Sequence, residues 1–292
     1  MATGYWVIRT YTAGRIGEKV KYWVSGNPKR RSGRRERQSL RKIEANDANA
    51  VKRSARLLNA NRDSFGVLMG FDYSDEGIAR LISRIKASGI DWDALDVEGM
   101  RDALIDAAER ELNNLLARVN YELKKSGTAI KYYGVTSDMD GDTGEPVRVH
   151  HHLVCQAGHE QLFADKWQAL GSVHWSPISE KQEDLLPIAV YLCRQVRHRE
   201  NRKMYIRSRN LNEPEVKDRV AYTGAELRVP KRARIISRSE YKSPYHAQYM
   251  RYVVPEDADT ASRTRAHTCG RARETDEDGP PGLANSGFPG RR

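Results

Sequence analysis

Two groups of residues in this sequence have the types and spacing to do chemistry. In VRVHHHLVC (147–155) a strand sends alternate side chains to opposite faces, so Val147, Val149, His151, Leu153 and Cys155 share one face. Arg148, His150, His152 and Val154 share the other. His150 and His152 therefore project together from the more polar face, separated by roughly 6.5–7 Å of rise. Two neutral imidazoles so placed can grip one divalent cation and leave positions open for substrate oxygens and water. His151 belongs to the apolar face, where a ring packs rather than ligates. Taken alone, His-x-His on a strand is a weak signal, since such pairs are often structural.

The second group lies in DLLPIAVYLCRQVRH (184–198), which reads as a helix with Pro187 in its first turn, where proline is tolerated. Leu185, Ile188, Ala189, Leu192 and Val196 form one apolar stripe, and Tyr191, Arg194, Gln195 and His198 fall on the polar side. An amphipathic surface tyrosine would occupy the same place. Tyr191, however, has an arginine at i+3 and a glutamine at i+4, unlike a core tyrosine. A phenol of pKa about 10 attacks phosphorus only with help. A cation that polarises the phosphate and neutralises the leaving oxyanion supplies it, and a neighbouring positive charge such as Arg194 favours phenolate.

The elements that must position these residues follow from periodicity. YWVIRTY (5–11) and EKVKYWV (18–24) read as a hairpin, followed by a basic run, Lys29–Lys42, in which eight basic residues face a single acid, Glu36. That run, with Arg30, Arg31, Arg34 and Arg35, is expected to act as a phosphate-contacting arm leading into a basic helix that ends near Leu58. In FGVLMGF the residues Phe65, Val67, Met69 and Phe71 share one strand face, with Gly66, Leu68 and Gly70 on the other. A helix over about 97–126 carries Leu104, Ala108, Leu112, Leu115, Leu116, Val119 and Leu123 at helical spacing, with Asp96 as N-cap and Gly127 as stop. Segments 129–138 and 147–155 pair as strands across a turn-rich stretch, 139–146. A short helix (159–170), a strand (172–178) and the tyrosine helix complete the unit. Trp167 and Trp175 read as core, and His159 and His174 as surface groups. The expected fold class is α+β, a central antiparallel sheet with helices packed on it, preceded by the hairpin and basic helix. Expected domains are 1–60, 61–254 and a disordered tail, 255–292, poor in large apolar residues.

Composition limits the function classes. The 292 residues carry 50 Lys and Arg against 39 Asp and Glu, a formal charge of +11 that favours a polyanionic partner. No stretch approaches the roughly 20 apolar residues of a membrane span. The N-terminus lacks the apolar region of a signal peptide. The three cysteines are far apart and form no Cys-x-x-Cys pair, which suits a reducing cytoplasm. No phosphate-loop motif is present, so a nucleotide-driven motor is not expected.

The two motifs together are more specific than either apart. A polar-face His-x-His strand followed within about forty residues by a helix bearing Tyr-x-x-Arg resembles the HUH superfamily of single-strand DNA nickases. The likeness is greatest to rolling-circle replication initiators of small phages, of the filamentous-phage and microvirus-like type. It covers roughly residues 60–220, including VTSDMDGDTGEPVRVHHHLV, KWQALGSVHWSPI and the segment after the tyrosine helix through Ser208–Pro214. The middle residue of the motif, hydrophobic in the family, is His151 here. The family's Tyr-x-x-Lys lysine is Arg194, which keeps the charge but does not deprotonate.

The resemblance implies an HUH-type, RRM-like nuclease fold with Mg²⁺ or Mn²⁺ held by His150 and His152. Tyr191 would attack the scissile phosphodiester, retain a 5′-phosphotyrosine and release a 3′-OH that primes synthesis. The third ligand it implies is Asp138, with Gln195 as rival and Asp140 next. Lys203, Arg207 and Arg209 would contact phosphates. The partners would be a single-stranded origin DNA, as a hairpin, and the helicase and polymerase of a bacterial host, in whose cytoplasm the protein would act. A transposase or relaxase of the same chemistry, and a non-catalytic single-stranded DNA-binding protein, are the alternative readings. For the arm, deleting residues 29–42 is expected to weaken DNA binding. It should also flatten its salt dependence, each lost phosphate contact removing about 0.7 from the log–log slope for single strands. Titration of the deletion at several salt concentrations measures this, and an unchanged slope assigns the run to solubility.

Overall fold

The computed structural model describes residues 4–25, 40–197, 204–222, 224–241 and 247–255. The arm residues Arg30, Arg31, Arg34 and Arg35, together with Lys203, His198 and the tail beyond 255, lie outside the described residues. Strands β1 (Gly4–Ala13) and β2 (Ile16–Ser25) form the expected hairpin, turned at Gly14, whose φ of +57° is the left-handed backbone that glycine adopts without strain. Helix α1 (Leu40–Ala60) follows, then β3 (Val67–Tyr73) and α2 (Asp75–Ala87). Helix α2 starts where the Ser74 hydroxyl accepts from the Gly77 amide at 3.1 Å, with Asp75 and Glu76 in its first turn and Arg84 and Lys86 in its last. Helix α3 (Val97–Lys124) is capped by Asp96, whose carboxylate accepts from the Gly99 amide at 2.7 Å, and ends before Gly127 at φ +73°. Next come β4 (Tyr132–Met139), β5 (Pro146–Cys155), α4 (Glu160–Trp167), β6 (Gly171–Pro177) and α5 (Leu186–Arg194). Strands β7 (Ile206–Arg207), β8 (Glu215–Ala221), β9 (Arg234–Tyr241) and β10 (Ala247–Val253) close the described chain.

The expected class, α+β, is found, but with two antiparallel sheets rather than one: β6-β3-β5-β4-β7 and β8-β1-β2-β10-β9. The second sheet forms because both edges of the N-terminal hairpin are paired by strands from the other end of the chain, β8 on β1 and β10 on β2. Residues up to Val254 make one compact unit, so the expected break near residue 60 falls inside it.

The first sheet packs on both faces. Val67, Met69, Phe71, Tyr73, Leu153 and Cys155 meet Leu81 and Ile85 of α2, the buried stripe of α3, and Phe163 and Trp167 of α4. On the other face Leu68, Tyr133, Val135 and Val154 meet Ala55 and Leu58 of α1 and Ala189 and Leu192 of α5. Phe65 departs from its expected face: it precedes the strand and joins this second cluster. Trp175, expected in the core, is 45 % exposed, on β6 at the edge of the sheet. No helix among the described residues is long and apolar enough to cross a membrane.

Buried charge ties the second sheet to α1 and to the start of α5. Arg251 of β10, 2 % exposed by side chain, pairs with Glu18 of β2 and donates to both oxygens of Asp184 at 2.6 and 2.8 Å. Arg56 of α1 donates to the same Glu18 at 2.6 Å. Asp184 in turn accepts from the Leu186 amide at 2.9 Å, at the start of α5. Removing one member of such a network strands the others without water. Arg251→Ala is therefore expected to lower the unfolding free energy by about 3–5 kcal/mol. Lys86→Ala, at the exposed Lys86–Asp93 pair, should change it by less than about 1 kcal/mol. Urea unfolding of both variants checks the contrast.

Candidate active site

Strand β5 is held so that its histidines face opposite ways. His151 is fully buried, with Nδ1 2.9 Å from the Thr136 hydroxyl and Nε2 3.0 Å from the Tyr73 hydroxyl. The rings of Tyr73 and Trp167 lie against it edgewise at 5.5 and 5.6 Å. Both ring nitrogens are thus satisfied inside the core, and burial, followed by the charges of His150 and His152, pushes its pKa down to about 3. With His151 inward, His150 and His152 point to the other face. Their Nε2 atoms approach to 3.1 Å.

Cross-strand register shows what surrounds the pair. One row runs His174 (β6), Gly70 (β3), His152 (β5), Val135 (β4), and the next runs Ser172, Asp72, His150, Ser137. These two rows continue the face whose neighbouring row, Leu68–Val154–Tyr133, is covered by α1 and α5. Gly70 is required here: a Cβ on it would sit 2.1 Å from His174 Nε2, so the His174 ring lies directly over its backbone. His174 Nδ1 is 3.3 Å from the Asp72 carboxylate. Tyr191, on α5 and 40 % exposed, reaches over the same rows. Its hydroxyl is 3.2 Å from His152 Nε2, and the two rings meet edgewise at 5.0 Å.

Electrostatics set the resting protonation. His152 is pushed to about 3 by burial first and then by His150 and His174, so it is neutral at physiological pH. His150 Nδ1 lies 2.9 Å from the Arg148 carbonyl. A carbonyl only accepts, so Nδ1 donates there and Nε2 is the nitrogen turned toward His152. Tyr191 is raised above its ordinary value by burial and then by the carboxylates of Asp142, Asp140 and Asp72, so its phenol rests protonated.

The donor set suits a divalent cation. Two nitrogens, each about 2.1 Å from one ion and subtending nearly a right angle, stand about 3 Å apart, close to the 3.1 Å between the Nε2 atoms. Among the described residues no group of three His, Cys, Asp or Glu side chains stands ready to hold a metal, so a cation here would take other ligands from substrate and water.

The remaining expected site residues divide. Asp138 is not brought to the histidines: its carboxylate is held by Arg101 of α3 at 2.8 Å and lies 3.4 Å from Arg197. Gln195 is buried, with its carboxamide against the backbone of Gly141 in the β4–β5 turn, where a Cβ would come 2.9 Å from Nε2. Its carbonyl accepts from the Ser137 hydroxyl. Asp140 shapes that turn, accepting from the Asp142 and Thr143 amides at 2.8 and 3.1 Å, and these bonds hold its pKa below the usual carboxylate range. Arg194 is exposed at the end of α5. Arg207 is exposed on β7 and paired with Glu213 at 2.5 Å, and Arg209 is exposed just beyond it. Asp72, the carboxylate in the same row as His150, was missed. It is the next residue on the Leu68–Gly70 face of its strand, so the alternation already applied to that segment extends to it.

Comparison with protein-family models, with curated protein sequences and with solved structures finds no match to this chain.

The buried histidine makes stability pH-dependent. Its folded pKa of about 3 lies below the ordinary 6.5, so as pH falls below about 6.5 the unfolded chain takes up a proton that the folded ring refuses. Stability from His151 is complete above that pH and declines toward pH 3, by about 2 kcal/mol at pH 5. Urea unfolding at pH 7 and pH 5 should show the loss, and His151→Gln, which does not titrate, should show a smaller difference between the two.

Proposed function

We propose that this protein is a metal-assisted, tyrosine-nucleophile DNA-nicking and strand-joining enzyme of the HUH type that initiates rolling-circle replication. The observation that carries the reading is the convergence on one open sheet face of the Tyr191 oxygen and the facing Nε2 atoms of His150 and His152. A nucleophile on a helix and a cation-binding pair on a strand, 39 residues apart in sequence, meet without further rearrangement.

His150 and His152 would hold Mg²⁺ or Mn²⁺, which polarises the scissile phosphate and neutralises developing negative charge. Tyr191 Oη attacks phosphorus as the P–O3′ bond breaks. The phenol gives up its proton and the departing O3′ gains one, so the upstream strand leaves with a free 3′-OH and the downstream strand stays joined to the tyrosine through its 5′-phosphate. The contact with His152 aims the hydroxyl. Burial, and then the carboxylates of Asp142, Asp140 and Asp72, disfavour phenolate in the resting state, so positive charge entering the site favours its ionisation. Arg194, one turn beyond Tyr191, contributes charge rather than proton transfer. The reverse attack by a 3′-OH rejoins the strand, and conservation of the phosphodiester's energy removes the need for ATP.

Incubation with a fluorescent single-stranded origin oligonucleotide and Mn²⁺ should yield a denaturant-resistant covalent adduct. Tyr191→Phe should yield none, and His150→Ala or His152→Ala should form it about 10²–10³-fold more slowly. Absence of adduct with the unaltered protein, or equal adduct with Tyr191→Phe, rejects the reading.

A further inference from the structure

The second sheet has one face on α1, where Arg56 lies over the Tyr11 ring at 3.5 Å and Lys52 over the Tyr249 ring at 4.6 Å. Its other face is basic, in a pattern that the nicking chemistry does not use. By register, one row on that face runs Lys217 (β8), Thr10, Lys19, Met250, Arg238 (β9), and the next begins with Arg219 (β8) and Ile8. Lys217, Arg219 and Arg238 are exposed. The chain between β8 and β9 crosses the middle, where Ala225 and Leu227 cover Ile8 and Met250, and Lys19 donates to the Arg228 carbonyl at 2.5 Å. It then turns through exposed Lys231 into β9. From Leu227 to Ser239 five cations and no acid occur. The acids nearby are Glu226, exposed on the crossing segment, Glu215, paired with Lys217 at 2.7 Å, and Glu240, which accepts from Gln248 at 2.9 Å.

Lys217 and Arg219 thus stand on one edge strand and Arg238 on the other, with the apolar contacts of Ala225 and Leu227 between them. Burial first, and then the Arg219 guanidinium, hold the Lys19 ammonium below its ordinary pKa. The edges are four strand spacings apart, roughly 19 Å. That is wide enough to reach both phosphate backbones of one duplex, whose grooves are roughly 6 and 12 Å across. A base-stacking platform is poorly offered: the Trp6 and Trp23 rings pack edgewise on each other at 5.5 Å, and the Lys21 ammonium sits over Trp6 at 4.9 Å. Arg234 of β9 pairs with Glu183 at 2.8 Å, and Arg251 pairs with Asp184, so this sheet is tied to the segment that leads into α5.

We infer that the outer face of the second sheet is a sequence-independent docking surface for the phosphate backbones of double-stranded DNA lying beside the nicking site. The choice of DNA as the polyanion rests on the proposed nicking function; the surface itself is tested without it. The probe is a mixed-sequence duplex with no nick site, titrated at several salt concentrations with the unaltered protein and with the combined variant Lys217→Gln, Arg219→Gln, Lys231→Gln, Arg238→Gln. The variant should bind at least tenfold more weakly at low salt. Its log–log salt slope should be shallower by about 2–4, near 0.9 for each lost contact. Adduct formation on a saturating single-stranded nick-site oligonucleotide should be unchanged. Lysine-reactive footprinting of the unaltered protein should show Lys217 and Lys231 protected by the duplex, a readout independent of how the variant folds. An unchanged slope, unprotected lysines, or an equal loss of slope on single strands overturns the inference. No adduct alongside a reduced duplex slope rejects the nicking function and leaves this surface standing.

Discussion

The site depends on one interaction, the burial of His151 with both ring nitrogens bonded inside the core. A strand has a side-chain period of two, so fixing one residue inward fixes its neighbours outward. Slipping β5 by one position would carry His150 and His152 into the aliphatic layer over α3 and expose His151 with the apolar residues that share its face. The Thr136 and Tyr73 hydroxyls therefore set the register as well as satisfying a ring. A leucine at this position would fill the space but would not pair with those two hydroxyls.

The rest of the site follows from how one sheet face is divided. Its apolar row, Leu68–Val154–Tyr133, gives α1 and α5 something to pack on, and its polar rows are left for chemistry. Ala189 and Leu192 bury the inner side of α5, which turns Tyr191 toward the histidines. Asp184 ties the start of that helix to the second sheet through Arg251. The tyrosine is thus aimed from two directions, by packing below and by buried charge at its N-terminal end.

Much of this was legible in the sequence, and the failures have physical causes. The parity of β5, the long stripe of α3 with its Asp96 cap, and the split sides of α5 are local patterns, and local patterns survive into the fold. The second sheet was not legible. Strands β8 and β9 are mostly exposed edges with little apolar alternation, and their pairing partners lie more than two hundred residues away or depend on those that do. Helix α2 went unread although Ser74, Asp75 and Glu76 are ordinary start signals. The placement of Asp138 turned on a similar point. The register between β4 and β5, which shifts between Ser137 and Met139, decides which residues of β4 stand beside the histidines. Val135 and Ser137 do, while Thr136 faces His151 and Asp138 goes to the arginines.

The pairing of β2 with β10 has a consequence for how the chain is made. The hairpin leaves the ribosome well before β10: the strand that covers its edge is added some 230 residues later, as the register of Val20 with Tyr249 shows. At about 5–20 residues per second that is a wait on the order of 10–50 s, during which an aromatic-rich ribbon has an unpaired margin. Lys19 and Lys21 on that ribbon oppose edge-to-edge association in the meantime. The sheet can close only after β10 has been made, so its formation waits on the synthesis of everything between the two strands.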